Sequence, residues 1–232
     1  MTNEQLLFGL VWYIVFLLSL TFHEAAHAWA AKLLGDPTAY YGGQVTLNPI
    51  PHIQREPFGT IVIPALSYFF SGWMMGWASA PYDPYWAVRY PRRAALMALA
   101  GPLANLFLVA LAVVVVRVAI ATGAVAEVPS LDLLMQAAFG QPSELPKPLI
   151  LIGMLLFLNL LLFFFNLLPL PPLDGAAVVQ LLMRHETAIR WQIAMRQPHF
   201  AMLGIIAAWA VFSRLWPTLQ RAFEALFWPA VA

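Results

Sequence analysis

From Leu6 to about Leu34 the chain is almost entirely apolar, long enough to cross a bilayer as one helix, yet it carries His23, Glu24 and His27. A helix is what such a run is confined to, because in hydrocarbon every backbone amide and carbonyl must find its partner within the segment. Ionisable side chains at that depth each cost about 2.5–3.5 kcal/mol on insertion scales, so groups kept there are candidates for function. Composition points the same way. The chain is 62% hydrophobic and 10% charged, whereas a soluble domain carries about 25% charged residues.

Four more apolar stretches approach the length of a span: Gly59–Ala80, Arg93–Ala121, Leu149–Leu168 and Phe200–Trp216. The first of these contains Pro64, Gly72 and Gly76 and reads either as a full crossing or as a re-entrant segment. The expected fold is an all-α membrane bundle, a single domain over residues 1–232, in which the first, third and fourth of the five stretches form the catalytic core with a small β loop beside it. Residues 35–58 are rich in Gly, Pro and Tyr, and Gln44–Leu47 is their one strand-like alternation. Ala121–Pro148 reads as a connector bearing Glu127, Asp132 and Glu144 against Lys147. Met1–Gln5 holds Glu4 and no basic residue, unlike a cleavable leader.

Arg89, Arg92 and Arg93 precede the third stretch and Arg184, Arg190 and Arg196 follow the fourth, which puts both clusters on the cytoplasmic side. A re-entrant second stretch then places the N-terminus outside, a full crossing places it inside. A formal charge of +1 leaves no basic stripe for a nucleic acid. Arg184–Arg196 reads as a solvated loop or an amphipathic surface helix, and Trp73, Trp77, Tyr82, Tyr85 and Trp86 as interfacial belts.

Histidines four apart share one helical face and can share a metal, and a glutamate between them can act on a metal-activated water. The chain has no cysteine, so any metal must use His and carboxylate ligands, which suit Zn2+. A catalytic zinc takes three protein ligands. Asp174, in Asn166-Leu-Leu-Pro-Leu-Pro-Pro-Leu-Asp174-Gly175, is the best third candidate; as a helix N-cap it would have a purely local role. Pro169, Pro171 and Pro172 end the preceding helix and predict extended chain up to Asp174. Glu24 is the candidate general base. Ala25, Ala26, Ala28, Ala30 and Ala31 leave room around the metal for close helix and peptide approach.

His23-Glu24-Ala-Ala-His27, Asn48-Pro49-Ile-Pro51-His52, Gly101-Pro102-Leu-Ala-Asn105 and Asn166–Gly175 occur in the order seen in the site-2 protease family, which the chain resembles over about residues 20–180. The likeness is to its compact branch without PDZ or CBS domains, where Gly-Asp-Pro-Thr-Ala, here Gly35–Ala39, often follows the zinc motif. The resemblance implies an intramembrane zinc metalloprotease with His23, His27 and Asp174 as ligands and Glu24 as base. It also implies that Asn166 meets substrate or the developing oxyanion, with Asn105 and His52 as further substrate-side candidates. A β-structured loop after the first helix, with Gln44–Leu47 as an edge for an unwound substrate, is implied as well. Gln44 in place of the usual Arg, the inserted Gln54-Arg55-Glu56, and Ala176 after Gly175 depart from the pattern. The implied partners are single-span membrane proteins and the lipid bilayer, at the cell membrane. A metal transporter and a non-catalytic adaptor retaining the fold are the rival readings.

Overall fold

The computed structural model describes residues 2–125 and 129–228, so Glu127 of the connector lies outside the described residues. Among these residues four helices are long and apolar enough to cross a membrane: α1 (Asn3–Leu33), α6 (Pro91–Ala121), α8 (Lys147–Asn166) and α11 (Pro198–Phe227). Helix α1 starts at a capping box, in which Thr2 accepts from the Gln5 amide and Gln5 reaches back to the Thr2 amide. It ends where the Asp36 amide returns to the Ala31 carbonyl at 2.8 Å. Helices α6 and α11 each open on a proline, which lacks an amide that the first turn could not use.

Helices α1, α6 and α8 pack against one another and form the core. Lipid supplies no hydrophobic force between helices, so small residues that let backbones approach must supply contact area. Ala25, Ala28 and Ala31 on α1 and Ala94, Ala98, Gly101 and Ala112 on α6 are buried in that way. The opposite faces, such as Leu7, Leu10, Ile14 and Leu18 of α1, are exposed and apolar, as a lipid-facing surface must be. Helix α11 stands further out and meets the core through aromatic rings. Trp209 lies 4.8 Å from Phe165 and Trp216 5.8 Å from Phe157, centroid to centroid.

The shorter elements sit between and beside these spans. After α1 come α2 (Thr38–Tyr41) and α3 (Ile50–Arg55), then a π-helical turn, Phe58–Val62, that runs into α4 (Ile63–Ser71). The apolar stretch 59–80 therefore holds a helix of 14 residues, Phe58–Ser71. At 1.5 Å per residue it reaches roughly 21 Å, short of a bilayer core of about 30 Å, so this helix alone does not cross. Beyond Gly72 the chain runs without helix or strand to Asp83, then forms α5 (Pro84–Arg89).

Three local expectations are corrected. Gln44–Leu47 is not a strand, and no strand occurs among the described residues. Side chains there take up backbone donors, Thr46 Oγ1 from the Asn48 amide and Asn48 Oδ1 from the Ile50 amide, and bend the chain instead. The connector 121–148 contains α7 (Leu131–Ala138), capped by Ser130 and buried along Leu131, Leu134 and Met135; Trp12 Nε1 donates to its Ala138 carbonyl at 2.9 Å. Arg184–Arg196 is not a loop: it forms α10 (His185–Met195), following the short α9 (Gly175–Val178) and a 3-10 turn. Its Trp191 Nε1 donates to the Ala176 carbonyl at 2.7 Å, which ties α10 to the chain just after Asp174.

Candidate metal centre

One turn of α1 brings His23 and His27 to the same face, with Nε2 atoms 3.0 Å apart. Asp174 approaches from the chain after α8. Its Oδ2 lies 3.1 Å from His23 Nε2 and its Oδ1 3.3 Å from His27 Nε2. The predicted extended run before Asp174 is instead a pair of tight turns, closed by Leu170 N to Leu168 O at 2.7 Å and Leu173 N to Leu170 O at 2.9 Å. Prolines at 169, 171 and 172 stop the helix but still allow turns, and turns shorten the return path. Asp174 stands at the N-cap position of α9, yet its side chain accepts no capping bond. The carboxylate is committed to the histidines.

Gly101 of α6 forms the floor. A Cβ there would overlap His23 Nε2 and His27 Nε2, so only a residue without a side chain lets α6 lie so close. Gly175 plays a similar part after Asp174, where a Cβ would meet the Leu167 and Leu168 carbonyls at the end of α8.

The other ring nitrogens fix the tautomers. His27 Nδ1 donates to the Met97 carbonyl at 2.8 Å, and His23 Nδ1 faces Asn105 Oδ1 at 2.5 Å. A carbonyl oxygen can only accept, so each Nδ1 carries a proton, and the neutral form of each ring presents its Nε2 lone pair to a metal. Two lone pairs and a carboxylate converging in a buried space repel one another unless a cation lies between them. Ligand atoms around a tetrahedral zinc with arms of about 2.0–2.1 Å sit about 3.3 Å apart. The donor set fits a single zinc ion.

Glu24 is buried, 4% exposed, and its carboxylate belongs with the two histidines to one group of potential ligands whose atoms all lie within 4.8 Å. Among the described residues it has no hydrogen-bond partner, and it faces the cavity that opens beside the histidines. That cavity measures about 690 Å3 and is lined by His23, Glu24, His27, Asp174 and Asn166 on one side and by Trp73–Ala80 on the other; Ile205 and Trp209 of α11 complete it. Trp73 and Trp77, read from sequence as belt residues, are thus wall residues.

The remaining sequence candidates separate. Asn166 lines the cavity. Asn105 is wholly buried behind His23 and does not line the cavity. His52 is buried in its own loop, with Nε2 3.1 Å from the Thr46 carbonyl, and is not among the cavity residues. Met97, Ser19 and Asn159 fall outside the motifs of the sequence, and Gly101 enters only as the first residue of one. A usable signal existed for two of them: Ser19 lies four residues before His23, and Gly101 four before Asn105, on shared helical faces.

The sequence profile of peptidase family M50 matches residues 11–206. YwhC of Bacillus subtilis (strain 168), named for zinc metalloprotease activity, is 32% identical over 224 residues, covering 93% of this chain and 92% of its own. Rip2 of Mycolicibacterium smegmatis, named likewise, is 26% identical over 215 residues, covering 91% and 70%. Rip2 of Mycobacterium tuberculosis (strain ATCC 25618 / H37Rv) is 30% identical over 171 residues, covering 74% and 56%. No solved structure matches the chain at a significant level.

Proposed function

The chain belongs to peptidase family M50 and is an intramembrane zinc metalloprotease, and we propose that His23, His27 and Asp174 hold the zinc while Glu24 is the general base. The observation that carries this assignment is the convergence of His23 Nε2, His27 Nε2 and both Asp174 oxygens within 3.0–3.3 Å. Bound zinc supplies Lewis acidity, polarising the scissile carbonyl and lowering the pKa of a water from about 15.7 to about 7. Glu24 takes the water's proton on its carboxylate and returns it to the leaving amine. Asn166, on the cavity wall, has a neutral amide donor suited to the oxyanion that develops at the attacked carbonyl. Asn105 is assigned to holding His23, and His52 to holding the 46–52 loop.

A helical substrate hides its peptide bonds, so it must unwind before it is cut. The wall segment offers it backbone partners: among the described residues the amides of Gly76, Ala78, Ser79 and Ala80 have no hydrogen-bond partner. The segment is held from behind, by Met75 N to Ser67 Oγ at 2.9 Å and Trp77 N to Gly59 O at 3.1 Å. We assign to that edge the substrate-pairing role that the family resemblance implied for Gln44–Leu47.

The substrates are membrane proteins, and single-span proteins of the cell membrane are the class we assign. Lys32, Arg93 and Arg196 lie at the end of the bundle nearer the site; Arg93 Nη1 donates to the Leu34 carbonyl and Arg196 Nη2 to Tyr82 Oη. The basic end is placed in the cytoplasm and the start of α1 outside. His27 is six residues from the end of α1, about 9 Å at 1.5 Å per residue, so scissile bonds lie near the cytoplasmic ends of substrate spans. A transporter would need further ligand sites along a path, and His23–Glu24–His27 is the one such group among the described residues.

Purified wild type reconstituted with tagged single-span proteins should cut them and lose activity to a chelator. Glu24→Gln should keep its zinc and fail to cut. A Glu24→Gln protein that still cleaves removes Glu24 as the base.

A further inference from the structure

Behind the metal centre lies a second polar cluster, on the side away from the cavity and fully buried in the helix core. Ser19 of α1, Asn105 of α6 and Asn159 of α8 are each 0% exposed, one from each core helix. Polar groups in such surroundings are costly unless paired, and these pair with one another. Asn159 Nδ2 donates to the Leu155 carbonyl at 2.8 Å and to Ser19 Oγ at 2.9 Å. Asn105 Nδ2 donates to Asn159 Oδ1 at 2.8 Å and points at the Ser19 carbonyl at 3.4 Å. Asn105 Oδ1 then receives His23 Nδ1.

The chain of bonds has one self-consistent polarity. The Leu155 carbonyl can only accept, so the amide nitrogen of Asn159 must face it and the oxygen of Asn159 must face Asn105. That oxygen can only accept, so Asn105 turns its nitrogen towards Asn159 and its oxygen towards His23. The proton of His23 is thereby held on Nδ1 and the lone pair of Nε2 is aimed at Asp174 and His27. His27 needs no such chain, since Met97 gives it a backbone carbonyl directly. Asn159 is two hydrogen bonds from the imidazole and touches neither cavity nor ligand atom.

We infer that Asn159, anchored by Leu155 and Ser19, is a positioning residue that orients the Asn105 amide and through it sets the tautomer and aim of His23. The inference rests on the metal assignment above. Outer partners of metal-bound histidines are worth about 10–100-fold in metal affinity when removed. Neutral amides serve here, where a carboxylate would bring a buried charge into the core.

The test is zinc affinity of the full-length protein in detergent, by competition with a chromogenic chelator, alongside thermal unfolding. Asn159→Leu keeps the volume of the side chain and removes its polarity; it should weaken zinc binding severalfold, up to about 10-fold, the lower bound for a group bonded to the imidazole itself. Ser19→Ala, a milder change should the first variant not fold, should weaken zinc binding to a lesser degree. Trp12→Phe removes a buried hydrogen bond elsewhere in the core, from Trp12 Nε1 to Ala138 O, and should lower the unfolding temperature with zinc affinity unchanged. Zinc affinity within twofold of wild type in Asn159→Leu, or in Ser19→Ala if that alone folds, overturns the inference, as does an equal loss in Trp12→Phe. A wild type that binds no zinc sinks the metal assignment itself, a distinct outcome.

Discussion

The chemistry of this chain depends on how few atoms separate α1 from α6. Gly101 sets that spacing, and its replacement is an informative single change. Gly101→Ala should favour α6 as a helix, by up to about 1 kcal/mol on propensity alone. It should nevertheless displace the imidazoles, since its Cβ would occupy the space of both Nε2 atoms. Elemental analysis of the purified variant should show zinc well below one equivalent, with cleavage lost; full zinc content would mean that α6 does not press on the site as described. At this scale the proposed ligands are legible because helical period alone puts His23 and His27 together, and the Asn166–Gly175 motif offers an acid. Gly101 and Asn159 are not, because their importance lies in what faces them across the bundle. The spacing of Gly101 to Asn105 marks a shared helical face but not the imidazoles opposite it, and Asn159 has no such marker in its sequence neighbourhood.

The elements show a similar division. Long apolar runs identified the four crossing helices, since length and hydropathy suffice. The nature of residues 59–80 required the structure, because Gly72, at φ +77°, ends α4 after one short helix and the chain then turns back along the site. Gln44–Leu47 misled for a related reason: an alternating pattern makes a strand only where a neighbouring edge can pair with it, and local side-chain bonds won here. The wall 73–80 is held by Ser67, so Ser67→Ala leaves the part-buried Met75 amide without this partner, a cost of at most about 1–3 kcal/mol. The expected result is slower cleavage of membrane substrates with zinc content unchanged. Equal cleavage by Ser67→Ala and wild type would show that this wall does not guide the substrate.

For the whole molecule, the four crossings place the Lys32, Arg93 and Arg196 end on one side and α7 with the end of α11 on the other. Arg117 Nη2 donates to the Phe227 carbonyl at 3.0 Å, and Trp228 Nε1 to the Pro129 carbonyl at 3.0 Å, closing that far end. The sequence contains no cysteine, so single cysteines report topology without background. Tyr85→Cys, at an 87% exposed position, should react with an impermeant maleimide only when the cytoplasmic face is open, and Gln141→Cys from outside intact cells. The reverse pattern would invert the orientation and move the cut to the other end of the substrate span.

Zinc content and affinity of Asp174→Ala, measured beside wild type and His23→Ala, test the shared metal centre most directly. One equivalent in wild type, and the same severe loss in both variants, is the predicted result. Asp174→Ala that keeps one zinc at wild-type affinity would contradict it, since the carboxylate seen against both imidazoles would then have no part in holding the ion.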